Sequence, residues 1–209
     1  MTPTDTSERK VIIAGIGGQG IVFLTRLISH TALELGRSVI VSETHGMSQR
    51  GGSVISHLKV NGSAAPLIQR GSADVMIAMD SSEAIQNLDF MRRGGMVFVN
   101  SADGLHPGLA PHLERLKIRV VNFPATSTAV KLGSPAAANI VLAGFVSAFS
   151  SLDLPYKTMI ETLKLISKKG SEKNLQAFDA GYQAGKGHTH SDGSSRQPLG
   201  QTSTFGTFS

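Results

Sequence analysis

The strongest constraint on the fold of this chain is a glycine-rich turn near its N-terminus. An apolar run at residues 11–14 is followed at residues 15–20 by Gly-Ile-Gly-Gly-Gln-Gly, which contains the spacing G-x-G-x-x-G. This layout predicts a buried strand, a tight turn and a helix whose first N–H groups face the space beyond the sheet edge. Open N–H groups and the helix dipole together favour an anion of phosphate size. The turn therefore predicts a β-α unit with a candidate binding site at its bend.

Several interpretations of this turn remain open from the motif alone. The glycines can simply permit a tight connection. They can also belong to a dinucleotide fingerprint, which requires an acid about 20 residues later, and Glu43 stands where it would hydrogen-bond a ribose. That interpretation predicts a free-standing NAD- or flavin-binding Rossmann oxidoreductase, or a non-catalytic nucleotide-sensing module. The doubled glycine at residues 17–18 and Gln19 are not required by that fingerprint.

A second dense segment, Thr-His-Gly-Met-Ser-Gln-Arg-Gly-Gly at residues 44–52, follows the second predicted strand. The carboxyl ends of parallel strands share one sheet edge, so this segment is expected beside the glycine turn. A guanidinium such as that of Arg50 matches two oxygens of a carboxylate or phosphate. The alternative is a surface loop whose polar groups satisfy its own backbone. The candidate residues here are His45, Gly46, Ser48, Gln49, Arg50, Gly51 and Gly52.

The order of apolar runs and helical periodicities predicts a three-layer α/β/α domain on a mostly parallel, Rossmann-like sheet. The first 43 residues are expected to form a β-α-β unit. Strands are expected over residues 10–14, 38–43, 52–60, 73–79, 96–100 and 118–123, and the third can run antiparallel because no obvious helix joins it to its neighbours. Helices are expected after the glycine turn and over residues 80–91, 113–116, 134–150, 155–169 and 171–184. Asp80 and Glu83 have capping-box spacing, and Gly94-Gly95 is expected to end the helix that they open.

Composition limits the domain organisation and the chemistry of the chain. We expect one domain over residues 10–185 and a flexible Gly/Ser-rich tail over residues 186–209. The chain has no Cys, which excludes a thiolate zinc site or an iron–sulfur cluster held by its own cysteines. The pair His188 and His190 is a weak metal candidate in such a tail, and we expect no metal site.

Charge and hydropathy exclude two further classes of partner. The formal net charge is +5, but Lys and Arg are scattered and aromatic residues make up only 5% of the chain, which argues against nucleic acid. The longest apolar stretch, residues 140–149, is about half of the ~20 residues that span a bilayer. The polar N-terminus lacks the apolar core of a secretory signal, and we expect a cytoplasmic protein without membrane contact.

Taken together, the two motifs resemble the gamma subunit or domain of 2-oxoacid:ferredoxin oxidoreductases, and within that family the small subunit of the indolepyruvate enzyme. The resemblance continues through Ala73-Asp74, Glu83-Ala84, Gly94-Gly95 and Val99-Asn100, and it covers about residues 10–185. Asn139, in an apolar predicted helix, is part of it. A buried Asn must find a partner, and we expect Asn139 to hold the loop with Arg50 or to contact another subunit.

The resemblance implies a subunit of an enzyme that oxidatively decarboxylates a 2-oxoacid to an acyl-CoA and CO₂ and reduces ferredoxin. Thiamine diphosphate and iron–sulfur clusters are then expected on a partner subunit, this chain holds at most a coenzyme A contact, and the isolated chain is inactive. By the same resemblance, the residues that face the partner or a CoA phosphate are Gly15, Gly17, Gly18, Gln19 and Gly20. The same interface is expected to be lined by Glu43, His45, Gly46, Ser48, Gln49, Arg50, Gly51, Gly52 and Asn139. No catalytic residue is assigned.

Overall fold

The fold is a six-stranded mixed sheet between two layers of helices. It was analysed in a computed structural model that describes residues 7–45, 52–62, 65–167 and 171–194, with the backbone alone for His45, Ser171 and residues 190–194. The strands are β1 (Arg9–Ile16), β2 (Val39–His45), β3 (Ser53–Val60), β4 (Ala73–Ala78), β5 (Met91–Asn100) and β6 (Arg119–Phe123), in the spatial order β2-β3-β1-β4-β5-β6. The pairs β1–β4, β4–β5 and β5–β6 are parallel, and β3 is antiparallel to both β1 and β2. The predicted class is confirmed, and the third strand is the reversed one.

The position of β3 corrects the simple β-α-β unit expected for the first 43 residues. Strands β1 and β2 run in the same direction, but β3 lies between them and pairs with each along most of its length. The helix between β1 and β2 therefore crosses over a strand that comes later in the chain. The place of residues 53–60 inside the sheet agrees with their burial, because both faces of the strand are covered and the second half of β3 is buried.

The helices are α1 (Ile21–Glu34), α2 (Ser81–Gln86), α3 (Ala110–Leu116), α4 (Ala125–Lys131), α5 (Ala138–Ser147), α6 (Tyr156–Ile166) and α7 (Ser171–Ser194). Side chains of β1 alternate between the two layers, as a period of two requires. Val11 and Ile13 pack with α1 and α4–α7, whereas Ile12 and Ala14 pack with α2 and α3. Gly36 ends α1 in the left-handed region (φ 72°), the cap that a glycine directly after a helical pattern predicts. No helix in the described ranges is both long and apolar enough to cross a bilayer.

The last helix extends ten residues beyond its predicted end near residue 184 and covers the beginning of the expected tail. It lies against α5 at backbone distance, because an added Cβ on Gly144 would overlap the Phe178 carbonyl oxygen and one on Gly181 would overlap the Val141 carbonyl oxygen. Gly185 continues this contact. Gly181 and Gly185 are therefore packing positions of this helix. The division of the chain at residue 185 stays a prediction, and residues 195–209 lie outside the described residues.

Two further helix predictions were wrong. Helix α2 ends at Gln86 rather than Met91, since Asn87 turns its side-chain amide back to the Glu83 carbonyl oxygen (2.8 Å) and a 3₁₀ turn (Leu88–Phe90) leads directly into β5. Gly94 (φ 76°) does not end a helix but lies in an irregular part of β5, where the register with β4 shifts. Helix α4 was not predicted, because it buries only small side chains, Ala125 and Ala129.

Candidate functional site

The glycine turn is held in shape by its own glutamine. Gln19 Oε1 accepts a hydrogen bond from the Ile16 N–H at 2.8 Å, and the Gln19 N–H donates to the Ile16 carbonyl oxygen at 3.0 Å. Gly15 is buried below this side chain, and an added Cβ would lie 2.8 Å from Gln19 Oε1. Gln19 is thus part of the scaffold of the turn, while Gly17 and Gly18 are exposed at its tip.

The start of α1 is organised by Gly20 and Asn139. Gly20 is the N-cap with φ 80°, and no described side chain caps the helix, so its first-turn N–H groups have no intrahelical or side-chain acceptor. The Gly20 carbonyl oxygen accepts from the Leu24 N–H at 3.0 Å and from Asn139 Nδ2 at 3.1 Å. An added Cβ at Gly20 would overlap Asn139 Nδ2. Within the described residues, Asn139 therefore supports the glycine turn itself, and its expected contact with the Arg50 loop or with another subunit stays a prediction.

The two sequence motifs meet at one edge of the sheet. The Gly17 N–H donates to the Gly52 carbonyl oxygen at 2.9 Å, which joins the first motif to the last residue of the second. The register agrees, because Val54 of β3 stands opposite both Gly15 of β1 and His45 of β2. The predicted proximity of the two motifs is confirmed for these residues. Gly46, Ser48, Gln49, Arg50 and Gly51 lie outside the described residues, and so does the side chain of His45, so their place in the site stays a prediction.

Glu43 is not placed where a dinucleotide enzyme needs its ribose-binding acid. It lies in β2 opposite Ser56 of β3, which in turn stands opposite Ile13 of β1. Two strand spacings, roughly 10 Å, separate Glu43 from β1. In the dinucleotide fold the acid follows the strand that directly neighbours the glycine-bearing strand. The inserted β3 therefore argues against the NAD- or flavin-binding alternative.

A side-chain pair next to Gly52, the partly buried Ser53 and the buried Glu83, was not found from sequence. The Ser53 hydroxyl donates to Glu83 Oε2 at 2.6 Å across 30 positions of sequence. Asp80 caps α2 as predicted, with Oδ1 accepting from the Ser82 N–H at 2.8 Å and the Glu83 N–H at 3.4 Å. The Glu83 carboxylate, expected to complete the capping box, instead reaches β3. Its spacing from Asp80 was a helix signal, and nothing in the sequence indicates a partner on another strand.

Neighbouring strand ends are tied together along the same edge. The Met79 N–H, just after β4, donates to the Ala14 carbonyl oxygen at 2.8 Å. Asn100, at the end of β5, donates through Nδ2 to the Met79 carbonyl oxygen at 3.1 Å and to Thr126 Oγ1 at 2.8 Å. The edge is therefore a continuous hydrogen-bonded rim, suited to present the glycine turn in one fixed geometry.

His57 of β3 is a buried histidine whose ring has its polar and packing contacts within the core. Its ring is buried, its Nδ1 accepts from the Ile68 N–H at 3.3 Å, and it packs edge-on against Phe90 at 5.2 Å between ring centroids. Burial, together with the nearby charge of Lys59, lowers the pKa of His57. The neutral ring therefore suits its place in the core. His188, the first of the two tail histidines, packs edge-on against Phe145 in the α5–α7 contact.

The fold and this site define an α/β domain whose sheet edge presents the backbone N–H donors of a glycine turn. Within the part of the chain that the structure describes, no group of three metal-ligating side chains occurs. The arrangement can bind and orient an anionic group or a protein surface. Residues 10–184 match the family model described as pyruvate ferredoxin/flavodoxin oxidoreductase, and the chain belongs to that family.

Relatives that share more than 30% identity with the chain are subunits of indolepyruvate oxidoreductases. The chain is 32% identical to the indolepyruvate oxidoreductase subunit IorB of Archaeoglobus fulgidus, over 82% of this chain and 92% of that subunit. It is 33% identical to subunit IorB of Pyrococcus horikoshii, over 86% of this chain and 96% of that subunit. The similarity therefore extends over nearly the whole of each relative.

Solved structures agree on the architecture. The gamma subunit of a keto/oxoacid ferredoxin oxidoreductase from Geobacter sulfurreducens superposes with a TM-score of 0.68 at 20% identity, covering 85% of this chain and 98% of that one, which shows the shared fold. The 2-oxoglutarate:ferredoxin oxidoreductase from Magnetococcus marinus, solved with 2-oxoglutarate, coenzyme A and succinyl-CoA bound, gives a TM-score of 0.71 at 26% identity, over 86% of this chain and 31% of that chain. The fold of this protein thus occurs both as a separate subunit and as part of a longer chain.

Proposed function

We propose that this chain is the small subunit of an indolepyruvate ferredoxin oxidoreductase. The complex would convert the 2-oxoacid and coenzyme A to an acyl-CoA and CO₂ and pass the electrons to ferredoxin. The observation that carries this proposal is the hydrogen bond from the Gly17 N–H to the Gly52 carbonyl oxygen (2.9 Å), which brings the first motif against the last residue of the second. The similarity to indolepyruvate oxidoreductase subunits over more than nine-tenths of their length supports the choice of enzyme.

The role of this surface is to complete a site whose cofactors another subunit holds. The chain has no cysteine for an iron–sulfur cluster, which fits a division of labour with a cysteine-rich, thiamine-binding partner. Val22, in the first turn of α1, is 45% exposed beside the exposed Gly17 and Gly18. An apolar side chain next to open N–H groups suits a contact with a protein or with an amphipathic ligand better than with solvent.

Coenzyme A is the small-molecule ligand proposed to bind at this edge of the sheet. Its phosphates are anions of the kind that an uncapped helix start attracts, and α1 begins with Gly20 and has no described side-chain cap. Arg50, predicted from the sequence to lie nearby, would add a guanidinium that matches two phosphate oxygens. The partner subunit would supply the substrate contacts, and this chain would orient the acyl acceptor.

Co-expression of the chain with its cysteine-rich partner subunit tests the proposal. We expect ferredoxin reduction by the purified complex to require indolepyruvate and coenzyme A together, and neither subunit alone to turn over. Replacing indolepyruvate with 2-oxoglutarate or pyruvate in the same assay should lower kcat/KM at least tenfold. Turnover by the lone chain, or tight binding of NAD or a flavin to it in calorimetry, would contradict the proposal. A preference for another 2-oxoacid would refute the substrate alone.

A further inference from the structure

We propose that Glu83 is a positioning residue for the glycine turn, acting through Ser53 and Gly52. The identity of what binds at the turn rests on the proposed function, whereas the positioning itself is a property of this chain. Two hydrogen bonds and one peptide bond make the connection. The Glu83 carboxylate accepts from the Ser53 hydroxyl at 2.6 Å, Ser53 follows Gly52 in sequence, and the Gly52 carbonyl oxygen accepts from the Gly17 N–H at 2.9 Å.

Glu83 connects the two sides of the sheet. Its neighbour Ala84 belongs to the core under α2, whereas Ile21, which begins α1 after the glycine turn, belongs to the core on the opposite face. The Asn87 side chain donates to the Glu83 backbone carbonyl oxygen at 2.8 Å, and Asp80 caps the helix start, so α2 is fixed at both ends. Glu83 therefore reaches the junction from a rigid element.

Stability alone does not account for a carboxylate at this position. Glu83 is 5% exposed, and none of the ion pairs formed among the described residues includes it. Removing a carboxylate from water without a counterion is unfavourable, and a well-packed apolar side chain of similar volume is often as stable or more so. A buried acid that bonds to the residue beside a ligand-facing turn is instead the pattern of a supporting contact that orients a site.

The contact has a defined consequence for the turn. Because the Gly17 N–H is donated to Gly52, the donors left at the exposed tip are those of Gly18 and the uncapped first turn of α1. Losing the Ser53–Glu83 bond frees residue 52 to move, and the Gly17 N–H then competes with those donors for water or ligand. The expected defect is weaker binding at the turn, with the fold intact.

The first test uses the full isolated chain and needs no partner. Amide hydrogen exchange at Gly17, read by NMR, should become about fivefold faster in Glu83→Leu and in Ser53→Ala, the factor expected for loss of one hydrogen bond. The conservative variants Glu83→Gln and Ser53→Thr keep an acceptor and a hydroxyl, and we expect exchange within about twofold of wild type. Gln86→Ala, an exposed change on the same helix, is the matched control. Unchanged Gly17 exchange in folded Glu83→Leu would overturn the proposal.

The second test uses the assembled complex and separates positioning from folding. Glu83→Leu should retain or exceed the wild-type Tm, because an apolar side chain replaces a buried carboxylate, and yet raise the KM for coenzyme A about fivefold or more with a smaller change in kcat. Glu83→Gln should restore KM. A KM that changes only in variants with a lowered Tm would refute a positioning role. If the wild-type complex shows no turnover, the proposed function fails, and Gly17 exchange still decides the role of Glu83.

Discussion

Replacing Gly20 with Ala tests how the start of α1 is held. Gly20 has φ 80°, a conformation that costs a residue with a Cβ about 1–2 kcal/mol. The new Cβ would also overlap Asn139 Nδ2 and displace the side chain that donates to the Gly20 carbonyl oxygen at 3.1 Å. Loss of that hydrogen bond adds about 1 kcal/mol. The expected destabilisation is therefore about 2–3 kcal/mol.

The other end of the same helix supplies the control. Gly36 has φ 72°, and an added Cβ would meet nothing within 4 Å. Gly36→Ala therefore measures the backbone strain alone, about 1–2 kcal/mol. Urea denaturation followed by circular dichroism gives both free energies of unfolding. In a thermal scan, Gly20→Ala should lower the Tm by roughly 5–10 °C, since 1 kcal/mol shifts the Tm of a chain of this size by about 2–4 °C.

A double-mutant cycle isolates the Asn139 contribution. With Asn139→Ala as background the overlap disappears, because the added Cβ at residue 20 lies 3.5 Å from the Cβ of residue 139, an ordinary contact. Gly20→Ala should then cost about as much as Gly36→Ala, which gives a coupling free energy of about 1 kcal/mol. Equal costs of Gly20→Ala in both backgrounds would show that Asn139 does not hold the turn.

Two further predictions concern the last helix and His57. Gly144→Ala should destabilise the chain by about 3 kcal/mol, because its Cβ would overlap the Phe178 backbone. Gly187→Ala, in open space on α7, should stabilise the chain by about 0.5–1 kcal/mol, and urea denaturation measures both changes. Burial and the charge of Lys59 lower the pKa of His57 below 6.5, so folding favours the neutral ring. The contribution of that ring to the free energy of unfolding is complete above pH 6.5, and it is lost as pH falls below that value and the ring gains a proton. Thermal scans from pH 7.5 to 5 should show a steeper loss of stability in wild type than in His57→Gln.

Features that depend on neighbouring residues in the sequence were predicted correctly, whereas features that depend on contacts between distant segments were missed. The glycine turn, the Gly36 cap and the Asp80 cap each depend on residues within four positions, and all three are present. The insertion of β3 between β1 and β2 depends on pairing across the sheet, which no local pattern specifies. Gly94 shows the same limit, since a glycine after a helical pattern predicts a helix end but here belongs to an irregular strand.

The candidate site also has a part that was predicted from sequence and a part that was not. The rule that ligands gather at the carboxyl ends of strands predicted correctly that the two motifs would meet, and the Gly17–Gly52 bond is where they do. The support beneath them was not predictable, because Ser53 and Glu83 are 30 positions apart and each has an ordinary local explanation. Asn139 was recognised as a buried amide that needs a partner, but only the three-dimensional structure identifies that partner as Gly20.

The backbone contact between α5 and α7 also bears on how the chain is made. Helix α5 is buried at every position from Asn139 to Val146, and α7 is the last described element to leave the ribosome. At about 5–20 residues per second, roughly 2–10 s separate the end of α5 from that of α7. During that interval the apolar side of α5 that packs against α7 in the folded protein is exposed. A nascent chain of this protein therefore presents a chaperone-binding or aggregation-prone surface late in synthesis, and truncation before Ser171 makes that surface permanent.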